Sequence, residues 1–167
     1  EVVVNEFGPV RERALELHAF EPSTPTRRLL EDALSGIPET KVLDVALSSS
    51  NGEAAFFSNG VASGTNSLSA ASGSDMETVQ ARTLDTYAQE NGINRIGMMK
   101  VDTEGFGLEV LKGAIGFLSR GQIELVQFEY NWRWLLNRAS LREVFALIED
   151  KPYRFGKLVG ERIEFHE

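Results

Sequence analysis

The chain has 167 residues, 42% of them apolar, with 17 basic against 25 acidic side chains and a formal charge of −8. That length and apolar content fit one domain with a single core, and the acidic balance, with no basic stripe to offset it, speaks against nucleic acid or an anionic membrane surface as the main partner. Cysteine is absent, which rules out disulfides and thiolate metal sites and leaves the fold to stand on its core.

No apolar run approaches the roughly 18 residues of a membrane span, and the acidic start is unlike a signal peptide. A soluble, cytoplasmic protein is the expectation. Val2, Val3 and Val4 read as a buried strand, residues 5–9 as a turn and residues 10–16 as a short helix. Residues 17–22 form a second strand, ended by Pro22, with Glu21 at its tip. In nucleotide-binding βαβ units an acid at that place takes the ribose hydroxyls, because one carboxylate accepts two donors at once. Outside such units, an acid before proline is more often a solvated strand end.

Residues 23–34 predict a helix capped by Ser23 or Thr26, with Leu29, Leu30, Ala33 and Leu34 on one face and Gly36 as its stop. Residues 41–47 predict a third strand, followed by a turn and a short extension over residues 53–57. From residue 58 to residue 75 the chain is rich in Gly, Ser, Ala and Asn; a connection of that length is a lid, a binding loop or a mobile surface segment. Residues 76–82 then predict a strand, and residues 83–92 a helix capped by Thr83 and stopped by Asn91 and Gly92.

The stretch around which the chain is organised follows. An apolar run over residues 96–101 leads into Asp102, Glu104 and Gly105 and then into an amphipathic helix, which reads as a buried strand, a tight turn and a crossover helix ending near residues 118–121. Ligands in open α/β sheets bind at the carboxyl ends of strands, so Asp102 and Glu104 stand where a scaffold delivers chemistry. A further strand over residues 123–130 ends in Glu129, Tyr130 and Asn131. Ser140 and Glu143 form a capping box for a helix through Ile148, and residues 151–159 and 161–165 predict an antiparallel closing pair around Gly160. Strands alternating with helices give an α/β class.

Five blocks carry a family resemblance: residues 17–22; Thr83, Leu84, Asp85, Thr86 and Tyr87; residues 99–105, Met-Lys-Val-Asp-Thr-Glu-Gly; Leu111, Lys112, Gly113 and Ala114; and Phe128, Glu129, Tyr130 and Asn131. In order and spacing the chain resembles the FkbM family of S-adenosyl-L-methionine-dependent methyltransferases, from about Leu17 to the C-terminus. The resemblance implies a Rossmann-like class I methyltransferase fold over residues 1–167, with a mostly parallel seven-stranded sheet, an antiparallel last strand and helices on both faces. It also implies O-methylation of a hydroxyl on a sugar or natural-product scaffold.

Position by position, the resemblance makes Glu21, followed by Pro22, the ribose-binding acid, and Ala46, Leu47 and Ser48 the region around the adenine. Asp102 and Glu104 resemble the acidic pair near the sulfonium, with Asp102 nearer to cofactor and substrate and Glu104 as its partner. A carboxylate can take the proton of a hydroxyl as the carbon–oxygen bond forms. Tight stabilisation of the sulfonium charge would slow the reaction, so proximity and alignment should supply most of the rate. Glu104 could equally be a helix N-terminal carboxylate held by the helix dipole. Glu129 and Asn131 are candidates for acceptor binding, with an ion pair between Glu129 and Arg133 as the structural alternative. Trp132 and Trp134 could stack on a sugar or close the core, while His18 reads as a packed histidine. Asp102, Glu104 and Glu129 could hold a hard cation through oxygen, but no metal is expected.

One departure stands out. The family's glycine-rich turn after the first strand, whose amides receive the methionine part of the cofactor, has no counterpart before Phe20 and Glu21. Either the chain is a divergent relative that has lost cofactor binding and serves as a binding or assembly module, or its residues are joined across a gap near residues 5–8. The second is favoured, because a glycine-rich loop without its ligand is readily disordered. A nicotinamide-dependent Rossmann enzyme ranks last, since it leaves the Asp102 turn without a purpose.

Overall fold

The computed structural model describes residues 2–5, 16–58, 66–68, 75–160 and 162–166, the first group as backbone. The turn and short helix expected before residue 16, with the proposed gap, and most of the 58–75 connection lie outside the described residues. Strands and helices alternate as expected: β1 (Val2–Asn5), β2 (Leu17–Phe20), α1 (Thr24–Leu34), β3 (Thr40–Leu43), β4 (Ala46–Leu47), β5 (Gly52–Ser58), β6 (Asp75–Arg82), α2 (Leu84–Glu90), β7 (Ile96–Val101), α3 (Gly107–Lys112), α4 (Ile115–Ser119), β8 (Ile123–Phe128), α5 (Arg133–Leu136), α6 (Leu141–Ile148), β9 (Tyr153–Val159) and β10 (Arg162–Phe165).

These strands do not form the expected single seven-stranded sheet. They divide into a five-stranded sheet in the order β10-β9-β1-β8-β7, a pair β2-β3 and a trio β4-β6-β5. Among the described residues only β7/β8, β2/β3 and β4/β6 are parallel. Three local causes are visible. The valine run of β1 inserts between β8 and β9, antiparallel to both, with Val3 opposite Val126 and Phe155. The expected third strand breaks at Asp44 and Val45, so that β3 pairs with β2 while β4 pairs with β6. Among the described residues no strand joins β2 to β7. The antiparallel closing pair is present, with Arg162 opposite Val159 and Phe165 opposite Gly156.

The main core lies under β7 and β8. Met99 and Val101 of β7 point inward while Met98 and Lys100 are exposed, the alternation of a strand with one covered face. Ile123, Val126 and Phe128 of β8 meet Leu108, Leu111, Leu118, Trp134, Val144 and Phe155 in that core. The crossover helix is two helices. It breaks at Gly113, where a Cβ would lie 2.0 Å from the Ser48 carbonyl oxygen, and α4 restarts with the Asp85 carboxylate accepting from the amides of Gly116 (2.7 Å) and Phe117 (3.0 Å). Glu143 receives the Ser140 amide at 2.9 Å, so the capping box stands. On α1 the expected apolar face is rotated. Leu29 is half exposed and Ala33 exposed, and the covered side is Thr26, Arg27, Leu30 and Leu34, because a two-stranded sheet offers the helix only a narrow surface.

Candidate active site

Parallel pairing of β7 with β8 builds the acidic end. Val101 and Phe128 are in register, so Asp102 and Glu129 leave adjacent strands side by side, and the Glu129 amide donates to the Val101 carbonyl at 3.2 Å. The chain then turns tightly, with the Phe106 amide on the Thr103 carbonyl at 3.2 Å, Glu104 at φ +50° and Gly105 at φ +98°. A side chain at Gly105 would meet the Arg133 backbone at 2.8 Å. Left-handed backbone at a glutamate persists only where neighbours hold it. Three do: Ser67 Oγ donates to the Thr103 carbonyl (2.9 Å), Asn137 Nδ2 donates to the Gly105 carbonyl (2.9 Å), and Arg133 Nε lies 3.2 Å from Glu104 Oε2.

One oxygen from each of Asp102, Glu104 and Glu129 comes within 4.8 Å of the others. Each has a protein partner already: Lys100 Nζ at 2.7 Å from Asp102, Arg133 on Glu104, and Asn131 Nδ2 at 2.8 Å from Glu129 Oε1. Their environments differ. Burial pushes the Glu104 carboxyl above the ordinary range, and the Glu129 charge adds to this while Arg133 opposes it. The hydrogen bond from Lys100 holds Asp102 below that range against partial burial. Of the two, Glu104 is the better proton acceptor near neutrality. Beside them a cleft of about 310 Å³ is lined by Lys100, Asp102, Gln127, Glu129, Tyr130 and Leu158.

The aromatic pair after Glu129 divides its labour. Trp134 is fully buried and its Nε1 donates to the Glu129 carbonyl at 3.0 Å; Trp132 is 64% exposed, with the Arg133 guanidinium 5.2 Å from its ring centre. The Arg133 side chain thus pairs with Glu104 rather than with Glu129, and Asn131 Oδ1 accepts the Arg133 backbone amide at 2.9 Å.

Glu21 leaves the carboxyl end of β2. Its Oε1 accepts the Ser23 amide at 2.8 Å, and its Oε2 has no hydrogen-bond partner among the described residues. Half burial pushes its carboxyl up, opposed by the Ser23 hydrogen bond and then by the Arg27 charge. The Pro22 carbonyl accepts from Arg27. Ala46 packs with Phe56 and Val79, Leu47 packs against the main core, and the Ser48 amide donates to the Arg82 carbonyl at 2.8 Å. His18 is packed, its Nδ1 2.6 Å from the Tyr87 hydroxyl.

A family model described as the methyltransferase FkbM domain matches residues 10–155. The chain belongs to the FkbM methyltransferase family. No curated protein and no solved structure gives a significant match. The matched region of this FkbM domain contains both the Glu21 turn and the acidic cluster, and it leaves out β1 and β10.

Several residues that shape the Glu21 turn and the acidic cluster escape a reading by motif. Arg27 had a signal: it stands three and seven residues before Leu30 and Leu34, so a cation shares their helix face. Arg133 lies 29 positions from its partner Glu104, and Ser67, inside a polar connection, reaches the Thr103 carbonyl across 36 positions; neither contact has a sequence signature.

Proposed function

We propose that this FkbM domain methylates a hydroxyl of a sugar or natural-product acceptor, with S-adenosyl-L-methionine as donor and Glu104 as general base. The observation that carries the reading is the set of three carboxylates at the ends of two adjacent parallel strands, one of them biased toward accepting a proton. The acceptor atoms suit the ribose end of the cofactor: Glu21 has one oxygen fixed by Ser23 and the other without a hydrogen-bond partner among the described residues. Bound cofactor would supply the methyl carbon on a sulfonium and leave as a neutral thioether.

The chain's own residues do the rest. Glu129, held by Asn131, and Asp102, held by Lys100, line the cleft and direct the acceptor hydroxyl toward Glu104, which lies behind them with an oxygen within 4.8 Å of each. Glu104 takes the hydroxyl proton as the oxygen–carbon bond forms, so no free alkoxide has to accumulate. Arg133 then faces a neutral carboxylic acid until the proton returns to solvent.

A second reading, a non-catalytic relative acting as a binding or assembly module, is favoured by the separation of β2-β3 from β7. Calorimetric titration with S-adenosylhomocysteine decides between them. Micromolar binding by the wild type, lost in Glu21→Ala, supports the enzyme; a folded wild-type protein that binds nothing refutes it.

A further inference from the structure

We propose that Arg27 is the positioning residue for Glu21, holding the turn after β2 so that the carboxylate presents Oε2 to a ribose diol; this rests on the cofactor reading above. The Arg27 side chain is only 14% exposed. A guanidinium removed from water needs acceptors, and those it finds gather at one place. Nη1 donates to the Glu21 carbonyl (3.2 Å), the Pro22 carbonyl (3.3 Å) and the Asp44 carboxylate, while Nη2 donates to Thr24 Oγ1 at 3.3 Å. Glu21 and Pro22 follow β2, and Asp44 follows β3, so Nη1 alone, sharing its two hydrogens among three acceptors, ties two parallel strand ends together, while Nη2 anchors the group to the first turn of α1.

The turn is closed from its other side by the Ser23 amide on Glu21 Oε1, with Ser23 itself buried. Arg27 fixes the two carbonyls of residues 21 and 22, and the Ser23 bond fixes the side chain that hangs from them. Its two Nη atoms are already spent on protein acceptors and its Nε lies 3.9 Å from Glu31, so Arg27 acts through Glu21 rather than on a ligand.

The test is calorimetry with two probes, S-adenosylhomocysteine and its 2′-deoxy analogue, on the full chain and on Arg27→Met. The wild type should prefer the ribose form by about tenfold, the value of a hydrogen bond to a charged group. Arg27→Met should bring that ratio close to one while its affinity for the deoxy analogue stays within about twofold of wild type, an error small against that tenfold. A purely structural role would weaken both probes alike and leave the ratio standing, and either that result or an unchanged variant overturns the proposal. Should Arg27→Met unfold, Arg27→Gln, whose shorter side chain keeps a donor but has no charge to pair with Asp44, carries the same expectation. A wild type that binds neither probe refutes the cofactor reading itself; one that binds both equally removes Glu21 from the ribose and Arg27 with it.

Discussion

Glu104→Gln should stabilise the protein at neutral pH and leave its stability unchanged in acid. The substitution keeps shape and removes one charge. At an effective dielectric of about 20, a unit charge on Glu129 at the 4.8 Å limit of the cluster repels Glu104 by about 3.5 kcal/mol; the Arg133 guanidinium, its charge spread over three nitrogens of which Nε is 3.2 Å from Glu104 Oε2, attracts it somewhat less strongly than Glu129 repels it. Asp102 adds a weaker repulsion, because it is 47% exposed and paired with Lys100. The charges therefore come close to cancelling. What decides the sign is burial of a carboxylate whose side chain is 21% exposed, a cost on the order of 1 kcal/mol.

The carboxyl is raised in the folded state, so its contribution is fully present below the ordinary glutamate pKa and is lost as pH rises through the raised value. Above that window the wild type carries the cost and the glutamine variant does not. For a chain of this size, 1 kcal/mol corresponds to about 2–4 °C in Tm. Thermal unfolding at pH 7.5 should show the variant higher by that amount, and the two should coincide near pH 4. A variant that melts several degrees below wild type at pH 7.5 would refute the reasoning and mean that attraction to Arg133 outweighs burial and repulsion together.

Two further substitutions probe the supports of the site. Ser67→Ala removes the hydroxyl on the Thr103 carbonyl, at a net cost of about 1 kcal/mol; hydrogen exchange should quicken at Glu104 and Gly105 and stay unchanged in α6. Gly113→Ala would place a methyl 2.0 Å from the Ser48 carbonyl oxygen, and overpacking of this kind costs at least about 1–3 kcal/mol. Its urea midpoint should fall clearly, and a wild-type midpoint would mean that the strand at Ala46 and Leu47 yields easily.

What could be read in the chain was local. The run from Ile96 to Gly105, the cap at Thr83, the box of Ser140 and Glu143 and the closing pair around Gly160 each declare themselves through period, cap chemistry or a glycine, and each stands in the fold. Pairing between distant strands was not legible. Nothing in Val2, Val3 and Val4 says that they lie antiparallel between β8 and β9, and nothing around Asp44 says that Lys41 and Leu47 belong to different sheets. At the site, Asp102, Glu104 and Glu129 were legible as strand-end acids and do converge. The division of roles was not, because it depends on Arg133 and Lys100 choosing between them in three dimensions. Ala46 lies in a small core with Phe56 and Val79, a packing that no pattern in the sequence announces.

The unit made of β2, α1 and β3 buries no hydrophobic residue; between Leu17 and Leu43 the one buried side chain is Ser23. Its ties to the rest include the contacts of His18 and Phe20 with Tyr87. Such a unit sits at the low end of the local stability scale and can open while the core under β8 stays closed. Any ligand that needs Glu21 then meets a fraction of molecules with the turn formed, and its apparent affinity is the intrinsic one reduced by that fraction. Affinity at this end of the molecule is therefore a measure of local folding, and changes far from any ligand atom can tune it by shifting that population.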